Sequence, residues 1–190
     1  MRAGLSTERV VALAAELADE AGAESVTVSR LARHCGVRPA SLYAHLDGAA
    51  DLHARLTALA LDELADRAAA DLAGRSGTDA LAALAGSYRA YAREHPGRYA
   101  AARRRLDPDV ASAELAIRAG RRHTELTRAT LRGYDLPEPA QTHAVRLLGS
   151  LVHGFTDLEA TGAFEHSEPA GEESWQALLV ALDAILRRGL

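Results

Sequence analysis

Apolar positions recur along this chain at three- and four-residue intervals, and glycine, proline or a small polar residue repeatedly cuts the pattern. Val10, Leu13, Ala14, Leu17, Ala18 and Ala21 form one helical stripe. Ser6 stands before it as an N-cap, Leu5 can staple onto Val10 across that cap, and Gly22 ends it. Thr27 opens a second helix by the same device, with Val26 and Leu31 as the staple. Asp47-Gly48 leads into a long helix from about Ala49 to Leu72, closed by Gly74 and Gly77, with Asp47 as its expected cap. Further helices are predicted over about 78–95, 98–105, from Pro108 to about Arg132, over 140–161 and over 173–188. The breaks fall at His95-Pro96-Gly97, at Asp107-Pro108, at Gly133 with Pro137 and Pro139, and in the loop TGAFEHSEPAG. No strand signal remains. The pattern predicts an all-α chain of about nine helices.

Composition agrees. Apolar residues make up 48% and aromatic residues only 4%, with alanine and leucine dominant, which favours closely packed helices over strands. A length of 190 residues suits one medium domain or a small domain joined to a larger one. The net charge of −4 argues neither for nor against nucleic acid. All 22 basic residues are arginine, the mark of a GC-rich codon bias, so no arginine gains weight merely from being one. Cys35 is the only cysteine, which excludes an intramolecular disulfide and a multi-cysteine metal site; it reads as a small apolar residue at a turn. The start, MRAGLSTERVVALAAELADEAG, carries acids every few residues and resembles neither a signal peptide nor a membrane span. A cytoplasmic protein without a membrane partner is expected. No serine elbow, phosphate loop, paired-acid signature or Glu-x-x-His pair is found, so neither an enzyme, a metal site nor a cofactor is expected.

The stretch LARHCGVRPASLYAHL, Leu31 to Leu46, carries the most information. A glycine interrupts an apolar run that then resumes with proline, serine and tyrosine. Gly36 suits a tight turn, and the small Ala32 lets a second helix approach. Pro39 fits the first turn of that second helix, while Leu42 and Leu46 face inward. Arg38, Ala40, Ser41, Tyr43, Ala44 and His45 are left outward. From Thr27 to Leu46 there are three arginines, two histidines and no carboxylate. Such a pair of short helices is a helix-turn-helix able to enter a major groove; on spacing alone an ordinary helical hairpin remains the alternative.

The segment VTVSRLARHCGVRPASLYAHLDGAADL resembles the DNA-binding domain of the tetracycline-repressor (TetR) family of transcriptional regulators. The matching positions are Thr27, Leu31-Ala32, Gly36-Val37, Ser41-Leu42-Tyr43, His45-Leu46 and Leu52. The resemblance implies a DNA-binding domain over residues 1–48 and a helical ligand-binding and dimerisation domain over 49–190. It implies a homodimer on a roughly palindromic operator, released by a small-molecule effector, with repression as the commoner habit. A helical ligand-binding dimer without an operator is the alternative. Carried onto this chain, Thr27, Ser29 and Arg30 approach phosphates at a helix start. Arg38, Ala40 and Ser41, with Pro39 and Ala44 on the same helix, face the bases, while Tyr43 and His45 hold phosphates. Ala49 stands where many members have a phosphate-clamping lysine, which predicts a smaller salt dependence. Residues 1–48 sum to −1, five arginines against six acids, so any positive surface must be local.

Two apolar stripes close the chain. Leu147, Leu151 and Leu158 belong to one; Trp175, Leu178, Leu182 and Ile185 belong to the other. Together they are the expected dimer contact. LVHGFTDLEATGAF resembles a C-terminal subgroup of the family with a Trp-His-Gly motif, although Gly149 stands where its tryptophan is expected. For the effector, Tyr88, Tyr91 and Tyr99 with Arg103, His123, Thr127, Leu151 and Phe155 are the candidate lining, and an aromatic or anionic lipophilic ligand is the expectation.

Overall fold

A computed structural model describes residues 5–189. Among them are nine α-helices, two single-turn 3-10 segments and no strand. The helices are α1 (Thr7–Ala21), α2 (Val28–His34), α3 (Pro39–Leu42), α4 (Ala49–Leu72), α5 (Gly77–Glu94), α6 (Pro96–Ala102), α7 (Ala113–Leu131), α8 (Glu138–Ala160) and α9 (Gly171–Arg188). None is long and apolar enough to cross a membrane. The chain forms two compact units. Residues up to Ala65 pack with Glu94–Arg122, and Asp66–Arg93 pack with the residues from His123 on. The compact unit that holds the helix-turn-helix therefore runs beyond residue 48, and Leu52 and Leu56 of α4 and Ala101 of α6 join its core.

In the first unit the expected caps of α1 and α2 are in place. The Ser6 side chain accepts the Arg9 N–H at 3.3 Å, and Thr27 accepts the Arg30 N–H at 3.2 Å. Val10, Leu17, Val26, Leu31, Leu42, Leu46, Leu52 and Leu56 are buried together, each contributing about 1.5–3 kcal/mol. Gly36 has φ 67°, a left-handed turn between α2 and α3 that a side chain would strain. At the start of α4 the capping runs opposite to expectation: the buried Asp51 carboxylate accepts the Asp47 N–H at 3.0 Å and binds Arg55 Nε at 2.9 Å. Asp47 itself is exposed. Burial pushes the Asp51 carboxyl up, but the facing Ser112 hydroxyl, the Arg55 guanidinium and the Asp47 N–H outweigh it and hold the group below the usual carboxylate range.

A group depressed on folding stabilises above its unfolded pKa of about 3.9, and that stability is lost as pH falls through the lower folded value. Asp51→Asn should therefore cost about 1–3 kcal/mol at pH 7. The gap between variant and parent should narrow in urea titrations taken progressively below about pH 4. An equal gap at pH 7 and pH 2.5 would remove the carboxylate from this role.

Helix α6 lies on α1. Asp19 accepts the Arg98 N–H at 2.9 Å and pairs with Arg98 Nε at 3.0 Å and His95 Nδ1 at 3.1 Å. Pro96 occupies the first turn, so α6 starts two residues earlier than its polar sequence suggested and stops at Ala102. Pro108 does not begin α7. Asp107 accepts the Asp109 N–H at 3.1 Å, and two successive backbone turns carry the chain to Ala113. A short aspartate that satisfies local backbone competes with helix nucleation, which is why α7 begins late.

The second unit is built on Leu81, Leu84, Leu131, Leu148, Val152, Phe155, Trp175, Leu179, Leu182 and Leu186. Its polar centre is Arg89, 5% exposed, which binds Glu159 through Nε at 2.9 Å and Glu172 through a second nitrogen at 2.7 Å. Its guanidinium also lies 4.9 Å from the Trp175 ring centroid. The paired Arg89 holds the Glu159 carboxyl below its ordinary range. One cation thereby ties α5, α8 and α9 together.

Candidate nucleic-acid interface and interior cleft

Every residue carrying the predicted DNA face is accounted for. Thr27, Ser29 and Arg30 are exposed along the first turn of α2. Arg38, Pro39, Ala40, Ser41, Tyr43 and Ala44 are exposed as well, with Tyr43 at 58%. His45 is half-buried, and its carbonyl accepts the Thr7 hydroxyl at 3.3 Å, which ties the end of this segment to α1. The helix itself is shorter than expected. α3 ends at Leu42, and Tyr43 to His45 form turns held by the His45 and Leu46 N–H groups on the Leu42 carbonyl, at 2.9 and 3.0 Å. Pro39 starts the helix, and two inward leucines only four apart leave it no longer apolar face to bury.

Arg38 is the backbone N-cap of α3, and its side chain makes no capping bond. Arg30, Arg33 and Arg38 make no ion pair with any described residue. Elsewhere arginines are engaged: Arg104 pairs with Glu24 at 3.1 Å and Arg122 with Asp62 at 2.8 Å. The three exposed guanidinium groups of Arg30, Arg33 and Arg38 lie on a segment that has no carboxylate of its own, although Glu20 of α1 comes within 3.9 Å of His34. Planar guanidinium groups suit contact with an anionic polymer. Cys35 is half-buried beside this turn, and burial pushes its thiol up, away from the reactive thiolate.

The second unit contains a cleft of about 180 Å³ between α5, α7 and α8. Three of the candidate lining residues, Tyr88, His123 and Thr127, lie around it, with Thr124 and His153. Tyr88 Oη and His123 Nδ1 are 2.6 Å apart, and the Tyr88 ring meets both His123 and His153 edge-on, with centroids 5.6 and 5.9 Å away. Leu84, Val145, Leu148 and Val152 supply the apolar wall, and Gly149 opens it: a Cβ there would meet nothing within 4 Å.

The other predicted lining residues are not in this cleft. Tyr99 and Arg103 lie in the first unit, where the Arg103 guanidinium stacks 4.7 Å from the Tyr99 centroid. Tyr91 is buried at 3% exposure, Leu151 is half-buried, and Phe155 packs on Phe164 and Trp175. A tyrosine on a helix that faces a core is buried by its ring area, whatever its hydroxyl could bind. Sequence reasoning missed the cleft side of α8, although Gly149 and His153, four apart, mark it.

The expected dimer residues also divide. Trp175 and Leu182 are 3% and 1% exposed within one chain, so they are core residues and offer no surface to a partner. Leu147, Leu151 and Leu178 are half-buried, while Leu158 and Ile185 are 52% and 42% exposed. Val180, which the sequence reading passed over, is the most exposed of the large apolar residues of α8 and α9, at 69%.

Residues 10–56 match the family model described as bacterial regulatory proteins, tetR family, and residues 81–182 match the Tetracyclin repressor-like C-terminal domain. The uncharacterized HTH-type transcriptional regulator YobS of Bacillus subtilis (strain 168) is 35% identical over 170 residues, covering 88% of this chain and 85% of YobS. Among solved structures, Mycobacterium smegmatis BioQ superposes with a TM-score of 0.71 at 22% identity, over 97% of this chain and 99% of its own. ActR of Streptomyces coelicolor in complex with (S)-DNPA gives 0.68 at 17% identity, over 97% and 98%. The unpaired basic face on a helix-turn-helix and the matches across both halves agree: the chain belongs to the TetR family of DNA-binding transcriptional regulators and is not an enzyme.

Proposed function

We propose that the chain acts in the cytoplasm as a homodimeric repressor on a roughly palindromic operator and is released by a small molecule held in its second unit. The observation that carries the reading is the segment from Thr27 to His45, which has no carboxylate of its own and exposes Arg30, Arg33 and Arg38 without an ion pair to any described residue. Thr27, Ser29 and Arg30 grip phosphates, with Tyr43 and His45 beyond them; Arg38, Ala40 and Ser41 read base edges. Arginine at this place can bind a guanine through two hydrogen bonds, and alanine can meet a thymine methyl. The exposed Leu158, Val180 and Ile185 support a partner surface on α8 and α9. That ActR binds (S)-DNPA on a similar fold supports a small-molecule effector here.

The test is selection of bound fragments from random duplex DNA at low salt, with Arg38→Ala beside the parent. Because the Arg38 side chain has no capping bond, its loss should spare the fold. The parent should return an inverted repeat. The variant should lose preference at one base step per half-site, at a cost of about 1–3 kcal/mol. An unchanged motif and affinity would move base reading off Arg38. No enrichment from protein refolded free of small molecules would overturn the operator reading and favour a ligand-binding dimer.

A further inference from the structure

We propose that the α5–α7–α8 cleft selects a neutral, one-ring aromatic molecule bearing a hydroxyl, a simple phenol. The inference rests on the reading of the second unit as the effector-binding part and deepens it. Size comes first. A cavity of about 150 Å³ with apolar walls accepts benzene, so the 180 Å³ here has room for one substituted ring. Charge comes next. The lining contains no aspartate, glutamate or arginine, and the chain has no lysine. The lining offers a bound ammonium no counter-ion and a bound carboxylate only a histidine it could keep protonated, so desolvation disfavours both.

Polarity is local and not absent. Tyr88 Oη and His123 Nδ1 sit 2.6 Å apart on one side, with Thr127 one turn along α7 from His123. A hydroxyl both donates and accepts, so it can join that pair from either direction, whichever nitrogen carries the proton. Leu84, Leu148 and Val152 supply apolar lining, and the space over Gly149 is open. The Tyr88, His123 and His153 rings already meet edge to face, and an aromatic guest extends that packing. A flat ring over Gly149 with its hydroxyl toward Tyr88 and His123 meets both the apolar and the polar lining.

The experiment is titration calorimetry on the full chain at pH 7.5 with 4-methylphenol, toluene, benzoate and benzylammonium. 4-Methylphenol should bind roughly tenfold more tightly than any of the other three. Gly149→Leu, which fills open space, should abolish that binding while the thermal melt is retained. Tyr88→Phe should reduce the preference for 4-methylphenol over toluene to about two- or threefold. Benzoate or benzylammonium binding more tightly than 4-methylphenol, binding undisturbed by Gly149→Leu in a folded protein, or no binding by the phenol would each overturn the proposal. Fluorescence anisotropy with a selected operator then separates the two readings. Phenol binding without loss of DNA keeps the cleft assignment and removes its role as an effector site. Operator binding by a protein that ignores phenols keeps the regulator and removes the phenol.

Discussion

Leu182→Arg should unfold the second unit, and Val180→Arg, two residues away on the same helix, should leave it folded. Leu182 is 1% exposed in a core with Leu186, Leu179 and Trp175, whereas Val180 is 69% exposed on the other side of α9. Replacing Leu182 removes a buried aliphatic group and forces a guanidinium into the space, about 4 kcal/mol or more. A domain is typically stable by only about 5–15 kcal/mol, so circular dichroism at 37 °C should show lost helix. A surface change such as Val180→Arg costs within about 0.5 kcal/mol of folding energy. Its effect should appear in sedimentation, as a mass reduced to that of one chain at micromolar concentration. Full helicity in Leu182→Arg would contradict the core described here. A dimer that persists in both Val180→Arg and Ile185→Arg would place the partner surface elsewhere.

The second large effect concerns α6. A Cβ at Gly97 would overlap the carbonyl carbon and oxygen of Ala18 and come to 2.6 Å from the Asp19 nitrogen. All of these are backbone atoms of α1, so no side chain can swing aside. Alanine has better helix propensity than glycine by about 0.8–1 kcal/mol, while forced overpacking costs about 1–3 kcal/mol and occasionally more. Overpacking wins at Gly97. The displaced helix would also lose the Asp19 hydrogen bond to the Arg98 N–H. Gly97→Ala should therefore lower the melting temperature by several degrees. Gly86→Ala, in α5, is the matched control: a Cβ there meets nothing within 4 Å, so the same change should raise stability by up to about 1 kcal/mol. Two shifts of the same sign would show that propensity, and not the approach of α6 to α1, decides the outcome.

How much of this was legible in the chain can be judged residue by residue. Ser6, Thr27, Gly22 and Pro39 each sit where a local rule puts them, because a cap or a turn is decided by the chemistry of a few neighbours. The acid-free window from Thr27 to Leu46 was equally plain, since charge order is a property of the chain itself. Pro108 was misread because Asp107 has two local choices, and its turn with Asp109 prevailed over helix initiation.

Tyr88, Tyr91 and Tyr99 look alike in sequence, yet only Tyr88 lines the cleft, and Tyr99 belongs to a different unit. Trp175 and Leu182 share an apolar stripe with Ile185, and nothing in a helical period says which part of a wide stripe meets its own chain and which meets solvent. The sequence by itself determined the all-α character, the caps at Ser6 and Thr27, the helix-turn-helix and its carboxylate-free window, all products of short-range sterics, hydrogen bonding and charge order. The tertiary structure alone decided the cleft beside Gly149, the burial of Leu182 and the close approach of Gly97 to Ala18. Those depend on which helices meet and at what distance, and close packing between residues far apart in the chain has no local signature.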